Sequence, residues 1–290
     1  MSSNHHLLPA TCGLIIPRDF GHDRGTLDWL LDQGVDINRT DIQRLDDGFN
    51  LAIGETDSSL HLLNNVAASG DIDLFDHLIN RGADPSLCTA LHSASRCTDA
   101  EMSRAMVCHL LDKHNMDINR NNDDLRDFMH DPHDSGSPLC SAILHKNLAV
   151  VRELLDRGAR VNSTSDFPVS YAVSAGGFLP ALEPLLHTGA DATKALTTSA
   201  NAKNIDAAEL CLRFGADPAP ALREAIAREE YRANTTAENA AYFASRPDLK
   251  YKKSDKQAER ERAKERASQA MVAFLKSAAE YGHVPQASEQ

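Results

Sequence analysis

One cluster in this sequence has metal-binding character: His130-Asp131-Pro132-His133-Asp134. Two histidines three positions apart with neighbouring carboxylates offer the nitrogen and oxygen donors that zinc or another divalent ion takes. Pro132 works against the site, because it breaks the helix that would turn both rings to one face, and no cysteine ligand is near. The segment therefore reads as a polar loop. His5 and His6 read as part of a tail. Phosphate chemistry lacks a carrier: there is no glycine-rich loop closing on Gly-Lys-Ser/Thr and no dinucleotide fingerprint after a strand. There is no nucleophile elbow either. Carboxylates are plentiful but fall in loops and helix ends. The cysteines Cys12, Cys88, Cys97, Cys108, Cys140 and Cys211 form no C-x-x-C pair and read as buried thiols of a reducing compartment. The expectation is a protein that is not an enzyme, with no catalytic residue, no cofactor and no metal ion.

The elements that would position any such side chain repeat themselves. The phrase is two apolar residues, a few polar ones, then Gly-Ala-Asp. It reads WLLDQGVDIN from Trp29 to Asn38, HLINRGADPS from His77 to Ser86, and ELLDRGARVN from Glu153 to Asn162. It returns as PLLHTGADAT from Pro184 to Thr193 and LCLRFGADPA from Leu210 to Ala219. A distorted copy, HLLDKHNMDIN, runs from His109 to Asn119. The phrase is a helix ending. A stripe such as Leu74, Phe75, Leu78 and Ile79 has helical spacing, and a glycine then takes the left-handed conformation that closes the last turn. Gly34, Gly82, Gly158, Gly189 and Gly215 hold that place, with His114 and Asn115 there in the distorted copy. Asparagine is the next-best residue for such a turn.

A shorter helix with a polar cap precedes each ending. The clearest starts are Thr89-Ala90-Leu91-His92-Ser93-Ala94 and Ser137-Pro138-Leu139-Cys140-Ser141-Ala142. Small residues at Ala67, Ala94, Ala142 and Ala200 let helices approach closely. Aromatics are 5% of the chain and Trp29 is its one tryptophan, so alanine and leucine must fill a core of short helices.

These phrases resemble the ankyrin repeat family, whose pattern runs T-P-L-H-x-A-A then L-L-x-x-G-A-D with a period near 33 residues. The resemblance covers Thr26 to Arg228, and the order of phrases looks like that of ankyrin proteins of filamentous fungi. It implies an all-α solenoid of about six to seven helix-pair repeats. The spacings between endings depart from the family: 48, 32, 44, 31 and 26 residues. Some connecting hairpins must therefore be long and others truncated, with no room for a full finger after Gly82 or Gly189. The expected organisation is an N-terminal segment over 1–25, repeats over 26–228 with a degenerate first repeat as cap, a charged insertion or helix over 229–270, and a capping helix and tail over 271–290. Pro220 to Arg228 would open a seventh unit, with Met271, Val272, Phe274 and Leu275 in its second helix.

Net charge is −12, and it is uneven: −13 up to Arg228 and +1 beyond. An acidic body repels phosphate backbones, so no direct nucleic-acid binding is expected, and a partner with a basic surface fits better. The start of the chain lacks a basic segment followed by an apolar one, and no apolar run approaches the roughly 20 residues of a membrane helix. No membrane association is expected; the location expected is the cytoplasm, the nucleus or both. The lysine-rich run Lys250-Tyr251-Lys252-Lys253-Ser254-Asp255-Lys256 reads as an import signal or as a solvated linker.

The resemblance implies that first helices and loops hold a partner protein, with the chain monomeric on its own. Contact positions expected from register are Asn65, Ser69, Ser93, Arg96, Ser141, His145, Tyr171, Ser174, Thr198 and Asn201. Asp123, Asp124 and Asp127 in the loop from Arg120 to Asp134 would add attraction for a basic surface. The function expected is an adaptor or scaffold. Two alternatives stand beside it: a transcriptional co-regulator acting through a DNA-binding partner, and a regulatory subunit of an enzyme.

Overall fold

The structure, a computed structural model, describes residues 24–38, 62–121, 136–162, 168–174, 177–246 and 255–281. Among these residues every regular element is a helix. The chain divides into two compact units, Met1–Asp166 and Phe167–Gln290.

The first unit contains α1 (Arg24–Asp32), α2 (Leu62–Ser69), α3 (Ile72–Asn80), α4 (Ala90–Ala94), α5 (Ala100–Asp112), α6 (Pro138–Leu144) and α7 (Leu148–Asp156). The short helices α2, α4 and α6 stack on one another, and each packs against the longer helix that follows it. Their faces explain the stacking. Leu63, Leu139 and Ile143 from the short helices meet Phe75, Leu78, Met106, Leu110 and Leu154 from the long ones, all at most 1% exposed. Removing each such side chain from water stabilises by about 1.5–3 kcal/mol. Ala67, Ala94 and Ala142 are fully buried between the helices, as their size requires. In α3 the stripe Leu74, Phe75 and Leu78 is buried, with Ile79 half-buried at its edge.

The helix endings follow the glycine phrase. Gly82 and Gly158 have φ of +99° and +84°. The next residue then donates back across the turn: Ala83 N to Leu78 O at 3.0 Å and Ala159 N to Leu154 O at 2.9 Å. In the distorted copy the left-handed residue is Asn115, at φ +49°, one position later than the glycines. The closing bond stretches accordingly to Met116 N and Leu110 O, at 3.3 Å. Where no hairpin fits after Gly82, a 3-10 turn over Pro85–Leu87 makes the connection.

The long helices begin on an aspartate or asparagine. Asp71 accepts from Leu74 N, Asp99 from Glu101 N and Met102 N, and Asn147 from Val150 N. Ser137 caps α6 as its sequence suggests, accepting from Cys140 N. Thr89 does not cap α4 with its side chain; its backbone N–H donates instead to the buried Asn64 Oδ1 at 2.8 Å.

The second unit contains α8 (Pro168–Val173), α9 (Leu182–His187), α10 (Ala192–Ala202), α11 (Ile205–Arg213), α12 (Pro218–Ser245) and α13 (Asp255–Tyr281). Gly189 and Gly215 close α9 and α11 at φ of +97° and +81°. Asp191 caps α10 directly after the first of these, so no hairpin intervenes. The C-terminal part differs from expectation. The helix expected to end near Arg228 runs on to Ser245, because no proline or glycine interrupts it before Pro247 and ion pairs Glu224–Arg228 and Glu229–Arg232 support it. The stripe expected to start at Met271 lies in a helix that begins at Asp255. The boundaries placed at 228 and 270 therefore fall inside helices. Met271, Leu275 and Ala278, with Ser268, form the buried side of α13, which packs on α12; Val272 and Phe274 are half-buried. No helix among the described residues is long and apolar enough to cross a membrane.

Candidate protein-binding face

The short helices of the first unit place the expected contact positions differently from one another. Asn65 and Ser69 on α2, Arg96 just after α4 and His145 just after α6 are exposed. Ser93 and Ser141 are not: they are 0% and 3% exposed, and this corrects their assignment as surface positions. The reason lies in the stack. Each serine sits where one short helix meets the next, and the Ser141 hydroxyl donates to His92 O at 3.0 Å. Ser93 Oγ accepts from the Arg96 guanidinium at 2.8 Å and so fixes that exposed side chain. His145 Nδ1 lies 2.9 Å from Ser141 O, which directs its other ring nitrogen away from the helix.

In the second unit Ser174 and Asn201 are exposed, and Tyr171 and Thr198 are half-buried. Asn201 is held by Arg228 of α12, and Thr198 Oγ1 donates to Lys194 O at 2.9 Å. Asp123, Asp124 and Asp127 lie outside the described residues, as do His130, His133, Lys252 and Lys253.

What holds the face in shape is a set of polar joints between neighbouring repeats. His92 Nε2 lies 3.0 Å from Gly136 O. Asn147 Nδ2 donates to Ser103 Oγ at 2.8 Å, and that hydroxyl donates to Ala94 O at 2.7 Å. The D-x-N ending of the repeat phrase is a joint of its own. Asp36 and Asp117 each accept from the backbone of the asparagine two positions on, at 2.9 Å. That asparagine then bridges to the next repeat: Asn38 Oδ1 accepts from Asp84 N at 2.7 Å, and Asn119 Oδ1 from Arg160 N at 2.8 Å. The partners of these asparagines lie 46 and 41 positions away, beyond the reach of any local sequence pattern.

The long helices are laced by charge. Arg81 reaches Asp32 at 2.5 Å, and Arg157 reaches Asp112 at 2.5 Å from the equivalent place. Between them, Asp76 of α3 receives His109 and His114 on Oδ1, at 2.8 and 3.1 Å, and Lys113 on Oδ2 at 2.6 Å. Burial alone would raise the Asp76 carboxyl; the Lys113, His109 and His114 bonds outweigh it and hold it at about 2. Arg157, then Cys108, hold the Glu153 carboxyl below its ordinary value. Burial pushes the Cys88 and Cys211 thiols up to about 11, which keeps them protonated and unreactive. The His109–His114 grouping escaped sequence reading, although its signal was present: it is the one ending that lacks its glycine.

Residues 63–165 match the family model of ankyrin repeats, in its form of three copies. This stretch, which spans α2 to α7, consists of ankyrin repeats, and the all-α helix-pair architecture agrees with it. Ankyrin repeats generally mediate protein–protein interaction. No curated protein matches the chain.

Proposed function

We propose that this protein is an adaptor or scaffold that holds another polypeptide against the exposed ends of its short helices and the neighbouring loops. The observation that carries this reading is the row Asn65, Ser69, Arg96 and His145. These side chains are polar and exposed, and they lie on or directly after short helices whose opposite side is buried in the stack. A row of rigidly mounted polar side chains suits a peptide surface. A hollow lined by Cys88, His92, Met116 and Arg120 among others has room for about one water molecule. The partner carries a basic surface, given the charge of −13 up to Arg228. A contact of this kind would bury on the order of 1,200–2,000 Å².

The test is affinity capture from the native cell at low and moderate salt. Wild type is compared with Arg96→Ala/His145→Ala and with Asp123→Lys/Asp124→Lys/Asp127→Lys. The reading expects a set of captured proteins that both variants lose. Capture by both at wild-type levels in low salt would remove the face and the acidic loop from it. The second reading is a transcriptional co-regulator, favoured by the lysine-rich run from Lys250 to Lys256. Imaging a tagged protein with Lys252→Ala/Lys253→Ala decides it: nuclear signal must fall, and an unchanged distribution speaks for the adaptor.

A further inference from the structure

We propose that Asp76, His109 and His114 form a binding site for a divalent transition-metal ion, with zinc the best fit. The three donor atoms, Asp76 Oδ1 and the Nε2 atoms of both histidines, lie within 4.8 Å of one another. Both histidine nitrogens converge on the same carboxylate oxygen, at 2.8 and 3.1 Å. Ligand bonds of about 2.0–2.1 Å in a tetrahedral site set neighbouring donors roughly 3.3 Å apart. The two edges to Asp76 need to lengthen by only a few tenths of an ångström, and the edge between the histidines is at most 4.8 Å before an ion draws the donors together.

The surroundings are those of a site rather than a chance contact. His114 occupies the place where sibling repeats have glycine, and Asn115 takes over the left-handed turn one position later. That shift turns His114 inward: its side chain is 9% exposed and its ring lies 5.3 Å from Phe75. His109 is 17% exposed on the preceding turn, its ring edge-on to His114 at 5.2 Å. Lys113 holds the other carboxylate oxygen at 2.6 Å, as an outer hydrogen bond that orients a ligating carboxylate does.

Nitrogen and oxygen donors in this proportion suit zinc, whereas magnesium and calcium take all-oxygen sets. The ion would join α3 of one repeat to the end of α5 in the next, so binding stabilises the fold by mass action.

The experiment titrates Zn²⁺ and Co²⁺ into the full chain, produced without a histidine tag. It reads heat of binding, the thermal midpoint and the visible Co²⁺ spectrum. Expected are saturation at one ion, a raised midpoint, intense bands of low-coordinate cobalt and no response to Mg²⁺. His109→Gln and His114→Gln should each weaken binding by at least about tenfold. His130→Gln/His133→Gln should keep it. Circular dichroism checks that each variant is folded. Should a variant lose its helices, histidine carbethoxylation of the wild type reads the site instead, with Zn²⁺ protecting His109 and His114. The proposal fails if wild type binds no more tightly than the His109→Gln/His114→Gln protein. It fails equally if binding vanishes only with His130 and His133, or if Zn²⁺ leaves carbethoxylation of His109 and His114 unchanged.

Discussion

A single backbone angle sets the ends of these helices. Gly158 sits at φ +84° with nothing within 4 Å of the place a Cβ would occupy. Gly158→Ala therefore costs conformational energy alone, about 1–2 kcal/mol, which urea unfolding will show as a lower midpoint at unchanged m-value. Lys146 is the reverse case: it holds φ +58° at the turn between α6 and α7. Lys146→Gly should raise the midpoint by up to about 1 kcal/mol in stability. The glycine endings were legible in the sequence because one residue type carries the whole requirement. The left-handed lysines Lys146 and Lys203 were not, since nothing in a lysine announces that turn. At the same scale, Glu153 titrates against Arg157 at 2.6 Å. Its folded carboxyl lies below the ordinary 4.5, so its stabilising effect is complete above that pH and is lost as pH falls through the folded value. Wild type should be more stable than Glu153→Gln at neutral pH. The gap should close in acid well below pH 4.5, as unfolding midpoints at a series of pH values will record.

Between elements, the joints decide whether neighbouring repeats keep their places. Asn119 is anchored by Asp117 and accepts from Arg160 N across 41 positions. Asn119→Ala should cost about 1 kcal/mol and expose the Arg160 amide to faster hydrogen exchange, while amides inside α5 keep their protection. Repetition in the sequence pointed to the short and long helices correctly, but not to the surface they leave. Ser93 and Ser141 share a register with the exposed Asn65, yet both are buried, because serine is small enough to be covered by the adjoining short helix. Register gives the face of a helix; the neighbour's size decides which positions on that face remain open. The His109–Asp76–His114 contact was hidden for a related reason. Its partners come from different repeats, and the missing glycine that brings them together looked like a mere irregularity.

On the scale of the molecule, the repeat pattern extends past the matched residues 63–165. The endings at Gly189 and Gly215 close further helix pairs, and two helices of 28 and 27 residues follow. Their charged stretches hid their length, since alternating sign marks an exposed helix without marking its end. The closing stripe Met271, Leu275 and Ala278 seals the unit that contains it. Leu275 is 0% exposed, so Leu275→Ala should cost about 2–5 kcal/mol and leave α13 open to proteolysis at its lysines and arginines. The central claim is that the short-helix side of the ankyrin array meets a polypeptide. Its most direct test is a photo-crosslinking amino acid placed, in the native cell, at Arg96, His145 or Arg152. Arg152 is also exposed but lies on a long helix. The account predicts protein adducts from the first two positions and none from the third. Adducts from Arg152, with none from Arg96 and His145, would contradict it.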